Sequence, residues 1–436
     1  MRRSLLSAVL SLPDLFVSFS FSLIFALAMA HPGQAAEFAC VSGDVACLIS
    51  SINTANGNSQ VNTITLEAGS YTLTDVNNDT NGPNGLPSIT STLSIQGPDA
   101  ETTVIERAGN APAFRLVHVA AAGALTLEGL TLRFGATGVG GGLFNDGGTV
   151  TLRHSILSNN SAGAGAGGLF NDQGTVTISH SIVSGNNAGF FGVGGGIYNG
   201  GGTLALVNSS LSSNWAETCG GLSGGSGTSI TNSTIAGNRA TGDGFGGGIC
   251  GGGSMIITNS TIASNHARYG GGGFSGNATL QNTILAHNTV SIGSEADCFG
   301  QINSLGNNLV GDLTGCSNLQ STDLTGDPGF GSSADDGLPA TGQVYFPLLR
   351  TSRAVNAGND AACPPTDQLD QPRVGRCDIG AIEFQDTIPP IITIAASPAT
   401  LWPPNGQRVT VTVAGTITDN ELGGSGVHRQ AAPRMW

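Results

Sequence analysis

Ile230-Thr231-Asn232-Ser233-Thr234-Ile235-Ala236 returns as Ile257-Thr258-Asn259-Ser260-Thr261-Ile262-Ala263, and each copy is followed two residues later by another asparagine, Asn238 or Asn265. Outward from this pair the pattern recurs roughly every 26 residues. One column reads His154, His180, Asn208, Asn232, Asn259, Asn282. Six residues on, a second reads Asn160, Asn186, Asn214, Asn238, Asn265, Asn288. A third is a Gly-Gly-apolar triplet at 141–143, 167–169, 195–197, 220–222, 247–249 and 272–274. Apolar residues flank the first column in every copy, from Leu152 and Leu157 to Leu280 and Leu285.

Each unit has short β-branched and leucine-rich runs broken by Gly, Asn and Ser, with no helical stripe. These are strands joined by turns. One unit cannot bury its apolar face alone. Stacking the next unit pairs each strand with its own copy, parallel and in register. Leucine then stacks on leucine inside, and asparagine on asparagine at the bends, where an amide can both donate and accept. The expectation is an all-β, right-handed, single-stranded parallel β-helix of about ten coils, roughly 50 Å long. Both asparagine-containing columns are expected to be structural ladders, His154 and His180 included.

Less regular coils extend the array forward through Thr63–Leu66, Leu93–Ile95 and Leu125–Leu127, and back to Ile302–Asn308. Val45, Leu48, Ile49 and Ile52 follow helical spacing, with Asp44 as cap, so residues 44–56 should form a short helix over the first coil.

Composition narrows the function. The chain has 436 residues, a formal charge of −14, and 15 basic residues, all arginine. The lack of lysine excludes a Schiff-base lysine and a P-loop lysine, and the acidic balance argues against a nucleic-acid surface. Arg2 and Arg3, an uncharged apolar run to Met29, and Ala28-Met29-Ala30 read as a signal peptide over residues 1–30. No second run of spanning length follows, so the mature chain is expected to lack a membrane span and to be secreted or displayed at the cell surface. In an oxidising compartment the eight cysteines should pair. Neighbour pairing gives Cys40–Cys47, Cys298–Cys316 and Cys363–Cys377, and leaves Cys219 and Cys250 as a fourth pair open to form.

The Gly-Gly-apolar and Asn-Ser columns resemble the repeats of polymorphic outer-membrane proteins and related bacterial β-helix proteins. Leu48, Ile52, Ala55 and Asn56 resemble a CSLREA-type N-terminal segment, with Ile49-Ser50 standing where that motif has Arg-Glu. Asp297-Cys298, Asn303-Ser304-Leu305-Gly306, Asp327-Pro328, Thr366-Asp367-Gln368, Pro372-Arg373 and Cys377-Asp378-Ile379-Gly380 resemble a choice-of-anchor Q domain. The stretch from Pro389 to Val413 is similar to the start of an Ig-like sandwich, shorter than the ~100 residues such a domain takes. The expected organisation is signal peptide 1–30, linker and cap 31–57, β-helix 58–310, Q-like segment 311–386, partial Ig-like domain 387–427, and an irregular tail 428–436. The resemblance implies secretion or surface display without fixing one activity.

Two function classes remain. The first is a non-catalytic extracellular scaffold or adhesin-like protein that presents turns to a glycan or a surface protein. The second is a polysaccharide lyase or glycoside hydrolase. Its best candidates are Asp146 and Asp172, each after a Phe-Asn pair in adjacent coils. Stacking would bring them near the ~5–5.5 Å carboxyl separation of retaining glycosidases. Against this, Asp-Gly-Gly and Asp-Gln-Gly are ordinary turn sequences, and no arginine or aromatic platform is expected to repeat beside them. Gly163–Gly168 matches a dinucleotide-loop spacing but no helix follows. His154 and His180 are read as ladder members rather than zinc ligands, and the sequons at Asn208, Asn232 and Asn259 as repeat chemistry rather than glycan sites. No cofactor or metal is expected.

Overall fold

The computed structural model describes residues 36–58, 60–331, 334–335, 343–385, 391–397 and 412–418. The expected signal peptide (1–30) and tail (428–436) lie outside them.

The chain is a parallel β-solenoid of about 11 turns. An 11-stranded sheet takes one strand per turn, from Gly69–Leu73 to Leu324–Thr325, and a 17-stranded sheet faces it. In the middle coils each turn gives the larger sheet two short strands, such as Leu143–Asp146 and Thr149–Arg153. Farther on they fuse into Ile249–Thr258 and Phe274–Gln281. Two-residue strands such as Trp215–Ala216 form a narrow third side.

The repeat columns become core columns. Leu152, Ile178, Leu206, Ile230, Ile257 and Leu280 pair in register on one wall. Leu157, Val183, Leu211, Ile235, Ile262 and Leu285 do so on the other. All are fully buried in one continuous cluster. Strict in/out alternation, as in Thr149–Arg153, lets each strand bury one side and solvate the other.

Close packing explains the second glycine of each pair. A Cβ on Gly221 would sit 2.5 Å from the carbonyl oxygen of Gly248 in the next coil, and one on Gly168 2.4 Å from that of Gly196. The pair is therefore a place where backbones approach, beyond its use as a turn.

The N-terminal end of the coil stack is closed. The helix α1 spans Val45–Asn58, two residues past its expected end. Asp44 caps it through Cys47 N–H (2.9 Å), and Leu48, Ile52 and Ala55 lie on the first coil's core. Ahead of it, Ala36–Cys40 pairs with Asn62–Leu66, so the β-structure begins inside the segment expected to be linker. Five residues with only alternate burial are too short to show as a strand by periodicity.

The three expected disulfides form, Cys40–Cys47, Cys298–Cys316 and Cys363–Cys377, and the pair left open, Cys219–Cys250, forms as well. Residues 343–385 lie against the 11-stranded sheet, where Phe346 meets Ala236 and Ala263, and Leu348, Ala354 and Ile379 meet Ile284, Ala286 and Leu309. In the stretch expected to be Ig-like, Ile391–Ser397 and Thr412–Thr418 form an antiparallel ribbon. No helix among the described residues is long and apolar enough to cross a membrane.

Candidate functional site

The two asparagine columns, alike in sequence, do different things. In the second, the backbone N–H and Nδ2 of each residue donate to Oδ1 of the next, all at 2.9–3.0 Å, from Asn160 to Asn288. Asn288 then donates both to Asp297 Oδ1. Burial raises the Asp297 carboxyl above its ordinary range, opposed by the Asn288 and Asp312 hydrogen bonds. The hydroxyl rung Ser155–Ser181–Ser209–Ser233–Ser260 and the amide rung Asn145–Asn171–Asn199 repeat this chemistry at two further bends, neither expected from the sequence.

The first column forms no such amide ladder. His154, His180, Asn208, Asn232, Asn259 and Asn282 all have left-handed φ of 45–51°, and Asn208 to Asn282 bond to residues 343–385. Asparagine tolerates that φ, which is why it recurs there. Burial follows the cover: His154 is exposed, His180 half-buried, and Asn232, Asn259 and Asn282 buried. His154 and His180 stack at 5.1 Å beside a cavity of about 180 Å³ that Ile156, Ile182, Pro98 and Ala100 also line. His180 Nε2 lies 3.1 Å from Asp370. Among the described residues no group of three or more His, Cys, Asp or Glu side chains could hold a metal ion.

Asp146 and Asp172 pair in register on the outer face of the large sheet. The expectation that no arginine or aromatic platform repeats beside them is corrected for the aromatic rings, which do repeat, while one arginine accompanies them without repeating. His118, Phe144, Phe170 and Tyr198 share one register column two residues before them. Arg115 lies with its guanidinium 4.8 Å from the Phe144 ring centre. The signal was present as Phe-Asn-Asp, Phe-Asn-Asp and Tyr-Asn-Gly; the arginine and histidine come from a coil without the repeat.

This strip is largely satisfied from within. Phe170 and Tyr198 stack face to face (4.6 Å, 16°), and Phe144 meets Phe170 edge-on (5.4 Å, 80°). Asn81 Nδ2 donates to Asp146 Oδ2 at 2.6 Å. Buried Arg115 donates to Asn84 Oδ1 and to the carbonyls of Asn81 and Val139; desolvation lowers its pKa to about 10 despite the pull of Asp146. His118 is fully buried. Its Nδ1 meets Ser88 Oγ at 2.9 Å, while Nε2 has no hydrogen bond and lies 3.7 Å from Asp146 Oδ2. Burial first, then Arg115, lowers the His118 pKa; Asp146 opposes both.

The outermost apolar groups lie on turns instead. Phe190 and Phe191 are 76% and 84% exposed, and Phe190 packs edge-on against Trp215. Several coils on, Phe245 stacks on Phe299 beside Tyr269. No family model and no curated protein matches this chain.

Proposed function

We propose that this chain is a secreted or surface-displayed, non-catalytic β-helix scaffold that binds an extracellular ligand through its turns. The observation that carries this reading is the pair of exposed aromatic turns at Phe190–Phe191 and Phe245, held on a rigid coil stack. Loops on a stiff frame are where binding residues concentrate, and exposed apolar groups of this kind mark interaction surfaces. The polymorphic outer-membrane-like repeats and the Q-like segment support surface display. The buried carboxyls with displaced pKa values, Asp297, Asp367 and Asp378, accept backbone N–H groups and act as structural clamps.

The runner-up is a glycan-cleaving enzyme. Asp146 beside His118 and Arg115, with Asp172 in register, is its specific support. Against it, the rings face one another and Asp146 is held by Asn81, so little of the strip is left for a substrate.

A glycan array run with a reducing-end release assay separates the two. The scaffold reading expects binding without release, reduced in F190S/F191S. Release by the wild type that disappears in folded D146N/D172N would replace it with the enzyme reading.

A further inference from the structure

We propose that residues 343–385 form a proton-operated clasp: they grip the β-helix while one proton is held within a buried carboxyl cluster, and loosen as that proton leaves. This goes beyond the scaffold reading and does not depend on it.

The clasp is bound by named contacts. Thr234 Oγ1 donates to Gln368 Oε1 (2.6 Å), and Asn232 Nδ2 to the Thr366 carbonyl (2.7 Å). Gly380 N–H donates to the Asn282 carbonyl, and Ala381 N–H to Thr261 Oγ1. Arg373 Nη2 donates to Asn232 Oδ1 at 3.1 Å.

Behind these contacts sit three carboxyls and one guanidinium. Asp367, Asp378 and Glu383 are 1–3% exposed. Arg373 pairs with Glu383, Nη1 to Oε2 at 3.0 Å, and with no other carboxylate among the described residues. Asp367 accepts three backbone N–H bonds, from Leu369, Gln371 and Glu383. Asp378 accepts two, from Asn356 and Phe384. Asp378 abuts Glu383, whose Oε2 also takes the Asp378 N–H. Burying three negative charges against one positive is costly, and the usual resolution is to keep one group neutral. Glu383 has the guanidinium and Asp367 the extra N–H bond, so Asp378 takes the proton.

The surroundings add little charge. Asp360 accepts the Cys377 N–H and Arg376 donates to the Gly358 carbonyl. The β-helix side chains bonded here, Asn232, Thr234, Thr261 and Asn282, are neutral. Elsewhere His180–Asp370 and His287–Asp327 also connect the solenoid with the C-terminal segment. Consistent with the geometry, burial and then Glu383 push the Asp378 pKa up to about 7, and burial raises Asp367 as well.

The sign follows. The docked form keeps a proton that a released, hydrated carboxyl gives up near its ordinary value of 3.8. Docking is therefore strongest in acid and weakens as pH rises to about 7. Across that window the opening equilibrium grows by up to about tenfold per pH unit, and it is flat above.

The test is amide hydrogen exchange on the full, oxidised chain from pH 5 to 8, corrected for intrinsic rates. Protection at Gly380 and Ala381 should fall about tenfold per unit between pH 5 and 7, while Ile235 and Ile262 in the coils do not follow. D378N should remove the slope. E383Q should shrink it, which covers the case in which D378N does not fold. H180Q should keep it. A wild-type clasp that tracks the coils at every pH overturns the proposal, as does a slope that survives in D378N or vanishes in H180Q.

Discussion

Arg373 joins two parts of the molecule: its Nη1 holds Glu383 inside the clasp at 3.0 Å, and its Nη2 reaches Asn232 Oδ1 on the solenoid at 3.1 Å. Asn232 is reached from both sides, since its own Nδ2 donates to the Thr366 carbonyl. Asn232→Ala would leave a buried guanidinium arm and a carbonyl short of partners, a loss of about 1–3 kcal/mol. Expected is a roughly 10- to 100-fold loss of exchange protection at Gly380, with Ile262 unchanged.

The amide ladder should be far less tolerant. Asn214 accepts two bonds from Asn186 and donates to Asn238 and to the Val183 carbonyl. Asn214→Ala leaves the backbone N–H and one Nδ2 hydrogen of Asn186 without an acceptor and takes a donor from the Val183 carbonyl and from Asn238 Oδ1, and should cost roughly 2–4 kcal/mol in denaturant unfolding. An effect under half a kcal/mol would mean that water replaces the rung.

Glycine pairs give a prediction with an internal control. Gly221→Ala forces a Cβ to within 2.5 Å of the Gly248 carbonyl oxygen. It should destabilise by about 1–3 kcal/mol. Gly57→Ala meets nothing within 4 Å and should be neutral or gain up to about 1 kcal/mol.

His118 predicts a pH effect of the opposite sign to that of the clasp. Its folded pKa lies below the unfolded value near 6.5, so the unfolded chain binds the proton more readily. Its contribution is present above pH 6.5 and is lost as pH falls through the folded value. His118→Phe extends the Phe144 column without a titrating group. The variant should gain stability relative to wild type between pH 8 and pH 5, measured by denaturant unfolding. A constant difference would show that His118 does not titrate with folding.

How far the sequence can be read depends on where a residue's partner lies. The coil columns were legible because each residue's partner is its own copy one period away, so position alone carries the contact. The clasp was not: Asn232 and Arg373 are joined across 141 positions by contacts that leave no period. For the same reason Asn208–Asn282 looked identical to Asn160–Asn288, although they face opposite surroundings. Asp297 stands in a recognisable Asp-Cys motif, and nothing local in the sequence marks it as the acceptor of the last amide. The strand Ala36–Cys40 was missed because a first coil has only one neighbour to match.

Direction is the remaining property of the ladders. Every rung from Asn160 to Asn288 donates its backbone N–H toward the C-terminal end and accepts at Oδ1 from the N-terminal side, while Nδ2 donates both forward and back to a carbonyl of the preceding coil. The aligned amides therefore add into a dipole whose positive pole lies at the last coils. A carboxyl group stands at that pole, Asp297, and Asn308 donates its N–H to Asp323 in the same sense. Carboxylates at a helix N-terminus follow the same electrostatic rule. The solenoid thus has an electrical as well as a chemical polarity. Another coil could join the ladder at that end only by displacing a carboxyl group from it.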